Sequence, residues 1–182
     1  SVRNFKTQAP TEEELTKLLD IARYAPTAGN TQGLTFIVIR DAEKIKQIAE
    51  ACANWMQDEI DAGTQNKRYF LTVLRAYRER GQDIICRNAP CLIFALARRL
   101  NITAVSNAEQ AGAYANLFAP TIGLGSTTAG FLQTCGTCGY KPLYDLLEVP
   151  NKLIICGALM VGYPKYKYQR MPARQELKVE FK

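Results

Sequence analysis

Hydroxyl and guanidinium side chains stand close to both ends of this chain, in positions where they could bind a phosphate group. Ser1 opens the sequence, and Arg170 and Arg174 lie near its end. Guanidinium groups hold phosphate oxygens through paired, charge-assisted hydrogen bonds, and a serine hydroxyl adds a further donor. The two arginines could equally be solvated charges of an exposed tail, which is the usual place for arginine. The chain has no histidine, so an enzyme of this sequence needs a cofactor to carry difficult chemistry.

Two internal segments are rich in the small polar residues that suit ligand sites. Pro26-Thr27-Ala28-Gly29-Asn30-Thr31-Gln32 follows the first predicted helix, although proline, glycine and asparagine are also typical of a plain loop. Gly125-Ser126-Thr127-Thr128-Ala129-Gly130-Phe131 leads into another predicted helix, whose first N–H groups would be free to meet a ligand. Backbone donors require no particular side chain, so this second segment is the less specific signal.

Together with Ser1-Val2-Arg3 and Gly162-Tyr163-Pro164, these segments resemble the FMN-dependent nitroreductase family. Chains of that family begin R-S-x-R-x-F, carry P-S-x-x-N-x-Q after the first helix, and close with G-Y-P and a basic P-x-R tail. This chain departs from the pattern because nothing precedes Ser1 and because Gly33-Leu34 stands where the family usually has P-W. The stretch 142–168 resembles a subgroup of anaerobes that is often fused to an N-terminal ferredoxin domain. A missing domain and simple trimming would both explain the abrupt start.

The resemblance implies how the chain would hold the phosphate and one edge of FMN. Ser1 and Arg174 would bind the phosphate, with Arg170 as a further candidate. Arg3 would lie at the N1/O2 edge of the flavin or along the ribityl chain, where its charge would raise the reduction potential of the cofactor.

The resemblance also implies the contacts to the flavin ring. The loop after the first helix would come from the second subunit and supply Pro26, Thr27, Asn30 and Gln32. Ala129 and Gly130 would direct backbone N–H groups at N5 and O4. No side chain is needed as an acid or base, so no catalytic residue is predicted.

The apolar pattern predicts the elements that position these segments. Strands are predicted at 34–39, 91–97 and 152–161. Helices are predicted to begin at Thr11, Asp41, Ser106 and Pro142. Further helical segments are predicted at 71–80 and through Phe131 and Leu132. Gly123-Leu124-Gly125 is predicted to be a loop. The helix after Ser106 is rich in small residues, which allow close packing and would suit a subunit interface. The mixture without strict βαβ alternation predicts one α+β domain over residues 1–182, and the resemblance implies a mostly antiparallel sheet flanked by helices in an intertwined homodimer.

Composition excludes several other classes of protein. No run of about 18 apolar residues and no signal-peptide core occur, so we expect a cytoplasmic protein with reduced cysteines. Cys135 and Cys138 have ligand-like spacing, but no histidine or second pair completes a metal site, and a packed helix is the better interpretation. The net charge of +6 is spread along the chain and is explained by a phosphate-binding tail and a solvated helix face rather than by nucleic-acid binding.

The resemblance therefore implies an FMN-dependent oxidoreductase that works by a ping-pong cycle. NAD(P)H or ferredoxin would deliver hydride or electrons, and an electron-poor acceptor such as a nitroaromatic or a quinone would receive them. Residues 64–89 are expected to lie near the flavin and to govern the choice of acceptor. An FMN-binding protein without turnover, such as a flavin store or redox sensor, would share the same contacts, and a basic RNA-binding module is the third alternative.

Overall fold

A four-stranded antiparallel sheet forms the centre of the computed structural model, which describes residues 1–170 and 172–182. The strands are β1 (Thr35–Ile39), β2 (Cys91–Arg98), β3 (Gly125–Thr128) and β4 (Leu153–Gly162), arranged in the order β1-β2-β4-β3. The central strands β2 and β4 are buried along almost their whole length, which explains their unbroken apolar runs. Because β2 and β4 lie between them, the edge strands β1 and β3 are separated by the full width of the sheet.

Helices cover both faces of the sheet. One face packs against α1 (Glu12–Ala22) and α4 (Ala104–Phe118), and the other packs against α2 (Ala42–Asp61), α3 (Lys67–Leu74), α5 (Gly130–Thr137) and α6 (Lys141–Leu146). Alternation along β2 divides its side chains between the two cores: Leu92 and Phe94 join the α2 side, and Cys91 and Ile93 join the α1 side. Five π-helical residues, Arg75–Glu79, continue α3.

Two of the predicted helix starts are confirmed by their capping hydrogen bonds. Thr11 and Glu14 form a reciprocal capping box at the start of α1, and the Asp41 carboxylate accepts the N–H of Lys44 at the start of α2. The predicted start at Ser106 is wrong, because α4 begins at Ala104 after the N-cap Thr103. The Asn101 side chain accepts both the N–H and the hydroxyl of Thr103, and this local turn starts the helix earlier.

The sequence patterns missed strand β3. Gly123 does lie in a left-handed turn with φ of 77°, but Gly125 begins the strand and pairs with Gly162. The strand is only four residues long and consists of Gly-Ser-Thr-Thr, so it lacks the apolar signal that revealed the other three. The helix predicted at 71–80 also begins earlier than expected, at Lys67.

The small residues of α4 serve packing within the chain. An added Cβ on Gly157 of β4 would lie 3.0 Å from the Ala108 Cβ, and one on Gly112 would lie 3.6 Å from Leu159. The helix therefore approaches the sheet closely through its small face. Its outer face leaves Tyr114 and Leu117 exposed.

The cysteines are packed as small core residues. All six are described and unpaired, and only Cys138, at the C-terminal end of α5, is exposed. Burial raises the pKa of the Cys91 thiol to about 12, so that thiol is protonated at neutral pH. Among the described residues, no group of three or more potential ligands is placed to hold a metal ion. Within the same residues, no helix is both long and apolar enough to cross a membrane.

Candidate active site

The N-terminal segment lies beside β3 and the end of β4. The Val2 N–H donates to the Ser126 carbonyl at 3.0 Å, and the Lys6 N–H donates to the Tyr163 carbonyl at 2.9 Å. These bonds anchor both sides of Arg3, so its side chain is held at the β3 edge of the sheet. The Ser-Val-Arg and Gly-Tyr-Pro segments, 161 positions apart in the sequence, are thus neighbours.

Two glycines permit this close approach. A Cβ on Gly125 would lie 2.5 Å from the Val2 side chain, and a Cβ on Gly162 would lie 2.8 Å from Pro90 and 2.9 Å from Phe5. Carbon atoms do not approach so closely without displacement of one of them. Glycine at both positions is therefore a requirement of the packing that holds the N-terminal segment.

Replacing Gly125 by alanine is expected to displace the N-terminal segment and lower the free energy of unfolding by about 1–3 kcal/mol, the usual cost of overpacking. Urea denaturation measures this change. Gly130→Ala is the matched control, because a Cβ there would meet no atom within 4 Å. Equal urea midpoints for the two variants would contradict the close-packing argument.

The two ends of the chain meet at this edge. The Tyr168 hydroxyl donates to the Ser1 carbonyl at 3.0 Å, and Arg170 follows two residues later. Arg174 belongs to an exposed tail without helix or strand, residues 172–182. The structure thus brings Ser1 near the start of the tail, but no hydrogen bond or ion pair among the described residues fixes Arg174 against it.

Pro164 and Tyr163 are fixed by their surroundings as well as by the N-terminal segment. The Tyr163 hydroxyl donates to the Glu14 carboxylate at 2.6 Å. This bond, together with the donation from the Thr11 N–H, lowers the pKa of Glu14. The Gly-Tyr-Pro segment is thereby tied to the first turn of α1.

A cleft of about 380 Å³ opens between the N-terminal segment, the β3–α5 junction and residues 64–89. We call it the β3 cleft. It is lined by residues of these three segments together with single residues of α2 and β4: Arg3, Trp55, Asn66, Tyr69, Phe70, Ile84, Ile85, Arg87, Thr127, Thr128, Gly130, Phe131, Thr134 and Met160. Both charged residues of this lining are arginines, so the cleft favours ligands with negative charge or electron-rich oxygen atoms.

Aromatic side chains form one wall of the β3 cleft. The Tyr69 and Phe131 rings lie 5.7 Å apart between centroids with planes inclined by 35°, and Trp55 meets Phe70 edge-on at 5.3 Å. The Trp55 indole N–H is buried and has no hydrogen-bond partner among the described residues. A flat apolar ring would find extensive contact on this wall.

The N-terminus of α5 contributes backbone donors, with one correction to the predicted pair. The Ala129 N–H donates to the Ala158 carbonyl at 2.9 Å, so the pairing with β4 uses the donor that was expected to face a ligand. Gly130 is the first residue of α5 and is exposed at the cleft. Its N–H has no acceptor within the helix and remains available.

The loop after α1 lies at the opposite edge of the sheet, directly before β1. Three strand spacings of about 4.8 Å, roughly 14 Å in all, separate β1 from β3. The loop is held by its own bonds: Thr27 Oγ1 accepts the Gln32 N–H at 3.1 Å, and the Gln32 amide donates to Asn30 at 3.2 Å. Within one copy, the structure therefore does not bring Pro26 and these three residues to the β3 cleft.

Sequence reasoning found the region that completes the cleft but not its residues. Residues 64–89 were expected near the ligand, yet Asn66, Tyr69 and Arg87 belong to no motif. Arg87 and Asn88 both have positive φ, of 55° and 50°, which a sequence does not reveal for such residues. The sequence offered only a weak indication of Arg87, namely a basic residue a few positions before the buried strand β2.

Comparisons with known proteins agree with this architecture. The model of the Nitroreductase family matches residues 1–163. A relative from Archaeoglobus fulgidus, named "Putative NADH dehydrogenase/NAD(P)H nitroreductase", is 26% identical over 165 residues, which are 91% of this chain and 80% of the relative.

Solved structures share the fold. A nitroreductase with bound FMN from Desulfitobacterium hafniense has a TM-score of 0.75 at 19% identity, covering 99% of this chain and 93% of its own. A nitroreductase with bound FMN from Bacteroides fragilis has a TM-score of 0.73 at 21% identity, covering 99% and 94%. An iodotyrosine deiodinase bound to FMN and 3-iodo-L-tyrosine reaches 0.71 at 23% identity, covering 100% and 94%. The predicted α+β, nitroreductase-like fold is confirmed.

Proposed function

Since the chain belongs to the nitroreductase family, we propose that it is an FMN-dependent oxidoreductase that transfers hydride or electrons from NAD(P)H to an electron-poor acceptor by a ping-pong cycle. The observation that carries this proposal is the β3 cleft, where Arg3, the N-terminus of α5 and an aromatic wall meet. Relatives of the same fold are named as nitroreductases with bound FMN. Ferredoxin is the alternative donor, because of the resemblance to the ferredoxin-fused subgroup.

The residues of the cleft fit the chemistry of FMN. Met160 and Ile85 offer apolar surface to the flat flavin ring, and the exposed N–H of Gly130 suits a ring nitrogen or carbonyl, which leaves the aromatic wall to contact the donor or the acceptor. Arg3 would balance negative charge at the N1/O2 edge. Ser1 and Arg170 would bind the phosphate, which is supported by the hydrogen bond that joins Ser1 to Tyr168, two residues before Arg170. The side chains that line the cleft include no carboxylate that would repel the phosphate.

Bound FMN would supply two-electron redox chemistry that this chain's side chains lack. The protein's own contribution is to hold the donor and the acceptor in turn against one surface, to exclude water with the aromatic wall, and to place the Arg3 charge. Reduction of a nitro group to a nitroso group takes up two electrons and two protons and releases water. The donor's hydride provides both electrons and one proton, and solvent provides the other, so no side chain is required as an acid or base.

We propose further that the protein is a homodimer in which each site draws on both copies. The loop with Thr27 and Asn30 lies across the sheet from its own cleft, so only a second copy could bring these residues to a flavin. Arg174 would close the phosphate site from the tail. The six unpaired cysteines support a reducing compartment such as the cytoplasm.

The C-terminal tail supports an intertwined arrangement of the two copies. Leu177, Val179 and Phe181 alternate along it and are 89%, 64% and 92% exposed. Alternation with a period of two is the pattern of a strand with one buried face. Edge strand β1 offers unpaired backbone groups, and a tail from a second copy would cover them.

The test of the proposed function is an absorbance spectrum of the purified protein, repeated without oxygen after addition of NADH or NADPH. Flavin bands that bleach would support the oxidoreductase and identify its donor. Bands that persist with both nucleotides, and a failure to reduce menadione with any donor, would instead favour an FMN-binding protein without turnover. If no flavin is present and added FMN does not bind, the proposal is wrong.

A further inference from the structure

Arg87 is the charged residue of the β3 cleft to which the proposed FMN site assigns no role. Its side chain is half-buried and lines the cleft together with Tyr69 and Phe131. None of the ion pairs among the described residues involves Arg87. A guanidinium in a partly enclosed site without a carboxylate partner is a binding group for an anion that comes from outside the chain.

The backbone around Arg87 is built to hold it in place. The Asp83 carboxylate accepts the Cys86 N–H at 2.7 Å with one oxygen and the Asn88 N–H at 2.8 Å with the other. This clamp spans Arg87, whose φ of 55° is unfavourable for a long side chain and is followed by a second positive φ at Asn88. Left-handed conformations of such residues persist where the surroundings impose them, and they concentrate at ligand sites.

The walls next to Arg87 select the shape of the ligand. Tyr69 is 59% exposed and packs against Phe131, the residue after Gly130 at the start of α5. A flat ring lying on Tyr69 would therefore occupy the same cleft as the guanidinium of Arg87, since both residues line it. Apolar Ile84 also lines the cleft and adds no competing polar group.

We propose that the β3 cleft selects acceptors that combine a flat aromatic ring with a carboxylate, and that Arg87 binds the carboxylate while Tyr69 and Phe131 contact the ring. The inference rests on the proposed function, because it names the acceptor class of the same site. Arg87 is then a specificity-determining residue for the acceptor and has no part in holding FMN.

The test compares 4-nitrobenzoate with 4-nitrobenzamide, which have nearly the same shape and differ in charge. Because the amide withdraws more electron density than the carboxylate and makes the nitro group easier to reduce, the ratio of the two kcat/KM values is compared between variants. Arg87→Gln is expected to lower the acid-to-amide ratio about tenfold, the effect of one partly exposed charge-assisted pair, without changing the FMN dissociation constant or the rate of reduction by NAD(P)H. Arg80→Gln is the matched control: it removes the same charge from an exposed arginine outside the cleft and should leave the ratio at the wild-type value.

Three results would overturn the inference. They are an acid-to-amide ratio that Arg87→Gln leaves unchanged, a loss of FMN affinity in that variant without a change in the ratio, which would place Arg87 in the cofactor site, and a slower reaction with NAD(P)H alone, which would assign the arginine to the donor.

A binding measurement separates failure of the inference from failure of the proposed function. Trp55 is the single tryptophan of the chain and lines the cleft, and nitroaromatic compounds quench indole fluorescence. Titration with both nitro compounds requires no turnover. If the protein reduces no acceptor, tighter quenching by the acid that is lost in Arg87→Gln would still support the inference, and equal quenching by both compounds would refute it.

Discussion

Replacing the three apolar residues of the tail by serine is expected to convert the proposed dimer to a monomer that retains its fold. Leu177, Val179 and Phe181 are exposed in the single copy, so their loss should leave the free energy of unfolding of one copy nearly unchanged. Their burial against a second copy would contribute about 5 kcal/mol for each tail. Two tails act in a symmetric dimer, so the dissociation constant should rise by several orders of magnitude.

Light scattering coupled to gel filtration measures the mass, and flavin absorbance measures the occupancy of the same fractions. The polar face of the tail provides the control: serine at Glu176, Lys178 and Glu180 leaves the three apolar side chains in place and should preserve both dimer and flavin. A dimer that survives loss of the apolar face would show that the tail does not hold the two copies together. Dissociation of both variants would show that the period-two alternation is not the basis of the contact.

The elements that could be predicted from the sequence are those whose own residue types indicate burial or a helix start. Runs of β-branched and apolar residues identified β1, β2 and β4, and the capping residues Thr11 and Asp41 identified two helix starts. In each case the signal is local, because it lies in the residues of the element itself and does not depend on which other segments pack against it. The antiparallel arrangement followed from family resemblance and not from periodicity.

Strand β3 shows why the remainder could not be predicted. Gly125 lies in a strand because it pairs with Gly162 of β4, and it must be glycine because the Val2 side chain, more than 120 residues away in the sequence, occupies the space where its Cβ would be. The α5 N-terminus gives a related case, since the Ala129 N–H is used by the β4 carbonyl of Ala158. Both facts depend on which strands become neighbours, and a local pattern does not contain that information.

The candidate site also contains residues that motifs could predict and residues that depend on how the chain folds. Motifs predicted Ser1, Arg3, Gly130 and the Gly-Tyr-Pro segment as candidate residues, and the structure brings them to one edge of the sheet. Arg87 and Tyr69 were not found, because they enter the cleft through a turn clamped by Asp83 and through the packing of α3 on α5. Neither contact depends on a fixed spacing of residues in the sequence, so no motif reveals it.

Mixed dimers are expected to recover flavin binding that each parent variant lacks. One parent carries Arg174→Glu, which places a negative charge where the phosphate would bind, and the other carries Thr27→Ala with Asn30→Ala. Each homodimer has two defective sites, and we expect FMN affinity to fall by at least about tenfold in both, the effect of one or two lost polar contacts. Co-expression with different affinity tags and purification through both tags isolates the hybrid, whose flavin content is then titrated.

The number of high-affinity sites in the hybrid decides how the site is assembled. If each flavin meets Arg174 of one copy and Thr27 and Asn30 of the other, the hybrid contains one site with every defect and one site with none, so half of the wild-type occupancy returns at wild-type affinity. If all three residues served the same flavin from a single copy, both sites of the hybrid would be impaired and no tight binding would return. The roughly 14 Å across the sheet between β1 and β3 argues for the first result, because neither edge strand can move toward the other while β2 and β4 pair between them.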